Sequence, residues 1–317
     1  MKERCETVSD VVSNIKEIID HENEMFPNDR AEFFFRGEDR SHYDEDDFGT
    51  SFQSTIDRLG LVDYEREIYN DALRLNVADF RDDATMAERI ARMQHYKLPT
   101  RFADISESAL IALYFAVSKG YGDPHNSDDE TDGFVRVMKV AHHKIKQFNS
   151  DIITAISHLP LVKADQIKMV GLDLNGVDAL RYEITNSRPG FGVSAPEDVK
   201  LRLIKELKQV WVFRPIYNTR RLFSQNGLFL AFGCGDNKSS LTPTFSPNDY
   251  DDEYQPSYGI KQVNYVRIKG EAKKDILNEL KYYGITAEAV YPELANVNNE
   301  LTKKYKKIKE AKNAIQD

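Results

Sequence analysis

The segment Ala109-Leu110-Ile111-Ala112-Leu113-Tyr114-Phe115-Ala116-Val117 constrains the fold more than any other stretch, because it is apolar on nearly every face of a helix. A helix with no polar side must be covered all round, so other layers of structure have to surround it. Just upstream lies Gln94-His95-Tyr96-Lys97-Leu98-Pro99-Thr100-Arg101-Phe102-Ala103-Asp104-Ile105-Ser106, a run crowded with polar side chains. It follows a helical pattern over residues 84–96 that places Met86, Ile90 and Met93 on one stripe. Pro99 biases Leu98 to extended geometry and ends that helix. The run therefore reads as a loop hinging two helices, with Ser106 the expected N-cap of the buried one. Gln94, His95, Thr100, Arg101, Asp104 and Ser106 then sit at the mouth of a rigid core, as binding residues do.

The rest of the chain alternates helical and strand patterns without a regular rhythm. Residues 9–24 carry Val11, Val12, Ile15, Ile18 and Ile19 at helical spacing behind a Ser cap. Glu32-Phe33-Phe34-Phe35-Arg36-Gly37 reads as a short aromatic strand, followed by an acidic loop over 38–47. Residues 63–80 read as a helix, 120–132 as a polar excursion and 133–140 as an alternating strand. The middle, 142–196, mixes short helical pieces with loops and is assigned no chemistry. Beyond it come a helix over 197–207, a strand over 210–215, a turn or short helix over 218–224 and a strand over 227–232. A long loop over 236–258, a strand over 265–268, a helix over 272–283 and a terminal helix over 296–314 complete the chain. This order predicts an α+β fold: a single mixed core with short strands and a buried central helix, not a doubly wound sheet.

Composition removes several function classes. The formal charge is −9 over 317 residues, which argues against nucleic-acid binding by a basic stripe. The Lys303-Lys304-Tyr305-Lys306-Lys307 run reads as the solvated face of a helix. Cys5 and Cys234 are too few for a disulfide framework or a thiolate zinc site, and point to a reducing cytoplasm. No apolar run has the roughly 18–20 residues of a membrane span, so no membrane partner is expected. His142, His143 and His158 lack carboxylate or cysteine partners at metal-ligand spacing, and no metal site is proposed. Gly233-Cys234-Gly235 opens into a Pro/Asp-rich loop rather than a helix, unlike a nucleotide-binding Gly-rich loop.

Three ordered motifs carry a resemblance: Phe35-Arg36-Gly37; Gln94 to Asp104 followed by Ala112-Leu113-Tyr114-Phe115-Ala116; and Gln225-Asn226-Gly227-Leu228-Phe229. Together they are similar to the FRG-domain family, named for a Phe/Tyr-Arg-Gly motif. The resemblance covers about Phe33 to Phe232, and the expected division is an N-terminal helix in 1–30, an FRG domain over 31–235 that includes the variable segment 142–196, and a 236–317 region of loop, strand and C-terminal helices packed on the same domain. Lys97 stands where the family usually has glycine, so a positive φ there would carry strain on the order of 1 kcal/mol. Ile105 stands where the family has tryptophan, which would alter an aromatic wall of the pocket.

The order of motifs also resembles the ADP-ribosyltransferase and NAD-glycohydrolase class, in which an arginine or histidine on the first core strand, a Ser/Thr turn leading into a buried helix, and a Glu or Gln on a later strand form the site. Arg36, residues 100–106 and Gln225 fall in that order. The implied catalytic set is Arg36, Gln225 and Asp104, and the ligand-binding set is Gln94, His95, Thr100, Arg101 and Ser106. A glutamine cannot supply the negative charge that favours an oxocarbenium-like transition state, so Asp104 or Glu107 would have to. Arg36 suits a phosphate or carboxylate, or else it pairs with Asp104 to hold the fold. Arg101 and Asp104, one turn apart, are equally able to clamp each other. His95 fits an acid, base or ribose ligand, or a helix C-terminal residue favoured by the dipole. Arg214, Arg220 and Arg221 would make a local positive pocket if they fold beside Arg36 and Arg101. The expected ligand is a phosphorylated, nucleotide-like molecule. No cofactor is required, and NAD enters as a substrate. The rival is a non-enzymatic binding or regulatory module with a protein partner. A role in bacterial defence against phage is compatible with either.

Overall fold

The computed structural model describes residues 4–39, 52–118, 131–162, 174–187, 196–234, 241 and 259–292. Its centre is a seven-stranded mixed sheet in the order β4-β5-β6-β2-β1-β3-β7. The strands are β1 (Ala31–Glu38), β2 (Phe102–Ser106), β3 (Gly133–Ala141), β4 (Ile145–Gln147), β5 (Val210–Arg214), β6 (Gly227–Phe232) and β7 (Ile260–Ile268). Of the described strand pairs, β4–β5 alone is parallel. Eleven helices are described, and the architecture is the α+β fold that the irregular order of elements predicts.

β2 differs from its expectation. The expected loop is a strand at residues 102–106, hydrogen-bonded to β6 over its whole length. Ser106 therefore lies on a strand, and the cap of the buried helix α5 (Ala109–Val117) is Ser108, whose hydroxyl accepts from Ile111 N at 3.3 Å. The Ser cap of α1 (Val8–Met25) is likewise replaced by Thr7, in a capping box with Asp10. The helix expected over 63–80 is a single 3-10 turn, Val62–Tyr64, followed by α3 (Glu65–Leu75), while a four-residue helix α2 (Thr55–Arg58) precedes it. β7 begins five residues earlier than expected, at Ile260. The expected loop over 40–47 and the terminal helix lie outside the described residues, as do residues 120–130 and most of 236–258.

Both faces of the sheet are covered, and pleat alternation shows how. On one face, Phe35, Val135 and Val137 pack against α1, α5 and α10 (Lys273–Leu280). On the same face Phe102, Phe229, Phe213 and Trp211 pack against α4 (Met86–His95), α6 (Asp151–His158), α7 (Leu174–Ser187) and α8 (Glu197–Leu207). On the other, Phe34, Ala103, Ile105, Leu228 and Leu230 form a core closed by Phe52, Ile56 and Val62. Gly37 is what lets α5 rest on β1: a Cβ there would lie 1.8 Å from the Ala112 carbonyl oxygen. The glycine of the Phe-Arg-Gly motif thus serves helix packing.

The β1–β2 junction is the weakest pairing in the sheet. A single register pair, Phe35↔Ser106, joins the two strands before they diverge. The helix-covered core divides at this seam, since the residues packed on β1 and β3 form one cluster and those packed on β2, β5 and β6 another.

Candidate functional site

Alternation along β2 sorts the polar run. Phe102, Asp104 and Ser106 leave the strand on the face covered by helices, and Ala103 and Ile105 on the opposite one. Ile105 is buried in that second core, so it is not the pocket wall expected of it. The odd-numbered positions of β2 simply face away from Asp104.

The Asp104 side chain remains 48% exposed. Gln94 Nε2 donates to its Oδ2 at 2.8 Å, and the Thr100 hydroxyl donates to Gln94 Oε1 at 2.7 Å. The direction of this relay is forced. A carboxylate only accepts, so Gln94 must present its nitrogen to Asp104, and its oxygen then requires a donor from Thr100. Thr100 is in turn buried, and its oxygen accepts from Phe102 N at 3.2 Å. His95, the last residue of α4, is buried with its ring 5.6 Å from that of Phe229 and Nε2 3.9 Å from Asp104 Oδ1. Gln94, His95, Thr100 and Asp104 are therefore brought together, with a half-exposed carboxylate held at the surface end.

Arg36 meets Asp104, but through the backbone. Its Nη1 donates to the Asp104 carbonyl oxygen at 2.7 Å, and its Nε lies 3.4 Å from Glu38 Oε1. The guanidinium thus serves the backbone of β2 where the ladder with β1 has ended. By alternation Arg36 leaves β1 on the Phe34 face, opposite the face from which the Asp104 carboxylate emerges. Glu38 also accepts from Arg136 Nε at 2.8 Å, so a buried carboxylate joins two arginines.

Arg101 does not clamp Asp104. It is 1% exposed and pairs with Glu65 through both Nε (2.9 Å) and Nη2, while Nη1 reaches the carbonyls of Phe232 and Gly233 at 3.0 Å each. Sequence reasoning missed Glu65. The signal was its spacing, since Glu65, Tyr69 and Ala72 occupy one face of α3 and all three are buried.

Ser106 and Gln225 are adjacent. The Ser106 hydroxyl donates to the Gln225 carbonyl at 2.8 Å and accepts from Ser108 N at 3.0 Å. The buried Gln225 side chain turns the other way and donates Nε2 to the Val290 carbonyl at 3.1 Å, tying the third motif to α11 (Ala287–Val290). Two non-glycine residues of the motif loops have positive φ, Lys97 at 63° and Asn226 at 44°. Lys97 thus adopts the conformation that its glycine-type position implies.

The three arginines near the third motif do not merge into one positive pocket. Arg214 is neutralised by Glu32 (2.6 Å) and Glu107 (3.1 Å), and Arg221 lies over the Tyr291 ring at 4.7 Å. Arg220, in the short helix α9 (Arg220–Ser224), is exposed. Among the described residues no group of three His, Cys, Asp or Glu side chains is placed to hold a metal ion, and no helix is long and apolar enough to cross a membrane.

The family model of the FRG domain matches residues 31–125, from β1 through α5, and the chain carries an FRG domain. That span holds Arg36, the Gln94–Thr100–Asp104 relay and the buried helix; Gln225 lies beyond it. No curated protein and no solved structure matches the chain.

Proposed function

We propose that the FRG domain binds a ribose-bearing, nucleotide-like ligand at the Asp104 end of the β1–β2 seam and that its chemistry is cleavage of NAD, by hydrolysis or ADP-ribosyl transfer. The observation that carries this reading is the Asp104 carboxylate, oriented by a one-directional Thr100–Gln94 relay yet half open to solvent. An ionised, pre-oriented acceptor suits ribose hydroxyls, and its charge would favour the cation that develops at the ribose C1′ carbon. In that reaction the bond from C1′ to the nicotinamide nitrogen breaks with its electron pair going to nicotinamide. Water or an acceptor hydroxyl then forms the new bond to C1′ and loses a proton. The imidazole of His95, 3.9 Å from Asp104, takes it in this reading. Arg36 acts here as a positioning residue, holding the Asp104 backbone.

A second reading, a non-enzymatic binding or regulatory module, draws on a different observation. Arg101, Ser106 and Gln225 each direct their side chains to protein groups: Glu65 and two carbonyls, the Gln225 carbonyl, and the Val290 carbonyl. One experiment separates the two. Thermal unfolding with and without millimolar NAD, paired with an assay for released nicotinamide, is run on wild type and Asp104→Asn. The enzyme reading expects a Tm rise and nicotinamide release in the wild type, both lost in the variant. No shift and no release in the wild type leaves the module.

A further inference from the structure

Outside the Asp104 network, the turn before the third motif shapes an open bay of about 500 Å3. Two rings line it. Tyr217 and Phe223 meet edge to face with centroids 5.8 Å apart at 84°, and they remain 44% and 69% exposed. Because the two planes are nearly perpendicular, they make an aromatic corner in which a flat occupant can stack on the face of one ring and meet the other edge-on, covering area now left in water.

Two polar groups in the bay narrow what that occupant is. Asn218 donates Nδ2 to Asp83 Oδ1 at 3.0 Å, and Asp83 is itself gripped by Arg92 through two bonds of 2.7 Å. Because a carboxylate cannot donate, this bond fixes the amide so that Oδ1 is its remaining, accepting atom. That oxygen has no hydrogen bond among the described residues. The second group is Arg220, exposed in the bay and without a hydrogen bond or ion pair among the described residues. Its neighbours Arg214 and Arg221 are both engaged.

We propose that this bay binds a nucleoside monophosphate, with the base stacked on Phe223, the more exposed ring, and meeting Tyr217 edge-on, an exocyclic amine donating to Asn218 Oδ1, and the phosphate on Arg220. The exposed ring supplies a stacking surface on which a purine covers more area than a pyrimidine, the fixed amide oxygen takes a donor from the base, as the amino group of adenine offers, and the guanidinium suits a phosphate in two-pronged contact. An apolar peptide side chain would satisfy the rings alone. A volume of about 500 Å3 falls within the range of small-ligand sites. None of the lining residues belongs to the Asp104 relay, so this inference stands separately from the NAD reading.

The test is isothermal titration of the full chain with AMP, and with UMP, adenosine and ribose 5-phosphate as comparison probes. AMP should bind more tightly than all three. Phe223→Ala should weaken AMP by about tenfold or more, and Arg220→Gln should weaken AMP while leaving adenosine unchanged. Both positions are exposed, so the variants should keep the wild-type Tm. No AMP binding at millimolar concentration, ribose 5-phosphate binding as tightly as AMP, or AMP affinity unchanged in Phe223→Ala would each overturn the proposal. Nicotinamide release in wild type and Asp104→Asn reports on the other reading and does not depend on these outcomes.

Discussion

Arg101 and Asp104 stand three residues apart in one motif, yet the structure treats them as opposites. Arg101 is sealed at 1% exposure with Glu65 and two carbonyls around its guanidinium, whereas Asp104 is half open and takes its side-chain hydrogen bond from the amide of Gln94. The difference comes from their places on the sheet. Arg101 precedes β2 at the end nearest Phe232, where α3 closes over it, and Asp104 falls on the seam where the helical groups divide. A shared motif therefore combines a residue that holds the fold with one presented to solvent, and substitution should separate the two.

The largest effect is expected at the clamp. Glu65→Gln strands a buried guanidinium beside a neutral amide and should cost about 3–5 kcal/mol, read as a lowered midpoint in urea unfolding. The double variant Arg101→Met with Glu65→Leu removes both charges and should recover much of that loss. If Glu65→Gln unfolds like wild type, the clamp is not structural and the contrast with Asp104 collapses.

Gly37→Ala should come next. A Cβ 1.8 Å from the Ala112 carbonyl oxygen meets backbone, which cannot rotate away. The cost should reach or exceed the roughly 1–3 kcal/mol of an overpacked core, seen as a fall in Tm with far-UV circular dichroism retained below the transition. The glycine of the motif belongs, like Arg101, to the fold.

These assignments show what the residues alone could reveal. Long patterns were legible: α5 is buried because it has no polar face, and residues 197–207 and 227–232 match α8 and β6 at both ends. β2 was not. At its start both faces are covered, so Phe102 and Ala103 are apolar in succession and the alternation that marks a strand is blurred. The membership of Gln94, His95, Thr100 and Asp104 in one cluster was legible from their closeness in sequence. The side of the sheet on which Arg36 emerges was not, because it follows from the single register pair Phe35↔Ser106. Glu65 lies 36 residues from Arg101, and only the tertiary fold brings the two together.

Smaller effects are expected within the relay and its loop. Thr100→Val removes the donor to Gln94 Oε1 and should cost about 1 kcal/mol, together with loss of whatever ligand response Asp104 gives. Lys97→Gly relieves a residue at φ 63°. The strain removed is on the order of 1 kcal/mol, and the added freedom of the unfolded chain offsets part of it, so a Tm rise of a few degrees at most is expected.

The smallest effect on stability should be the most informative one. Asp104→Asn keeps the shape of the side chain, and its amide oxygen can still accept from Gln94 Nε2. With the carboxylate half exposed and no cation at bonding distance among its hydrogen-bond partners, losing the charge should change stability by no more than about 0.5 kcal/mol. A carboxylate that supports the fold would behave like Glu65 and cost several times as much. An unchanged Tm without ligand, combined with a lost NAD response, therefore places Asp104 in a site. A large drop in Tm would make it a second clamp, and the contrast between the two halves of the motif would disappear.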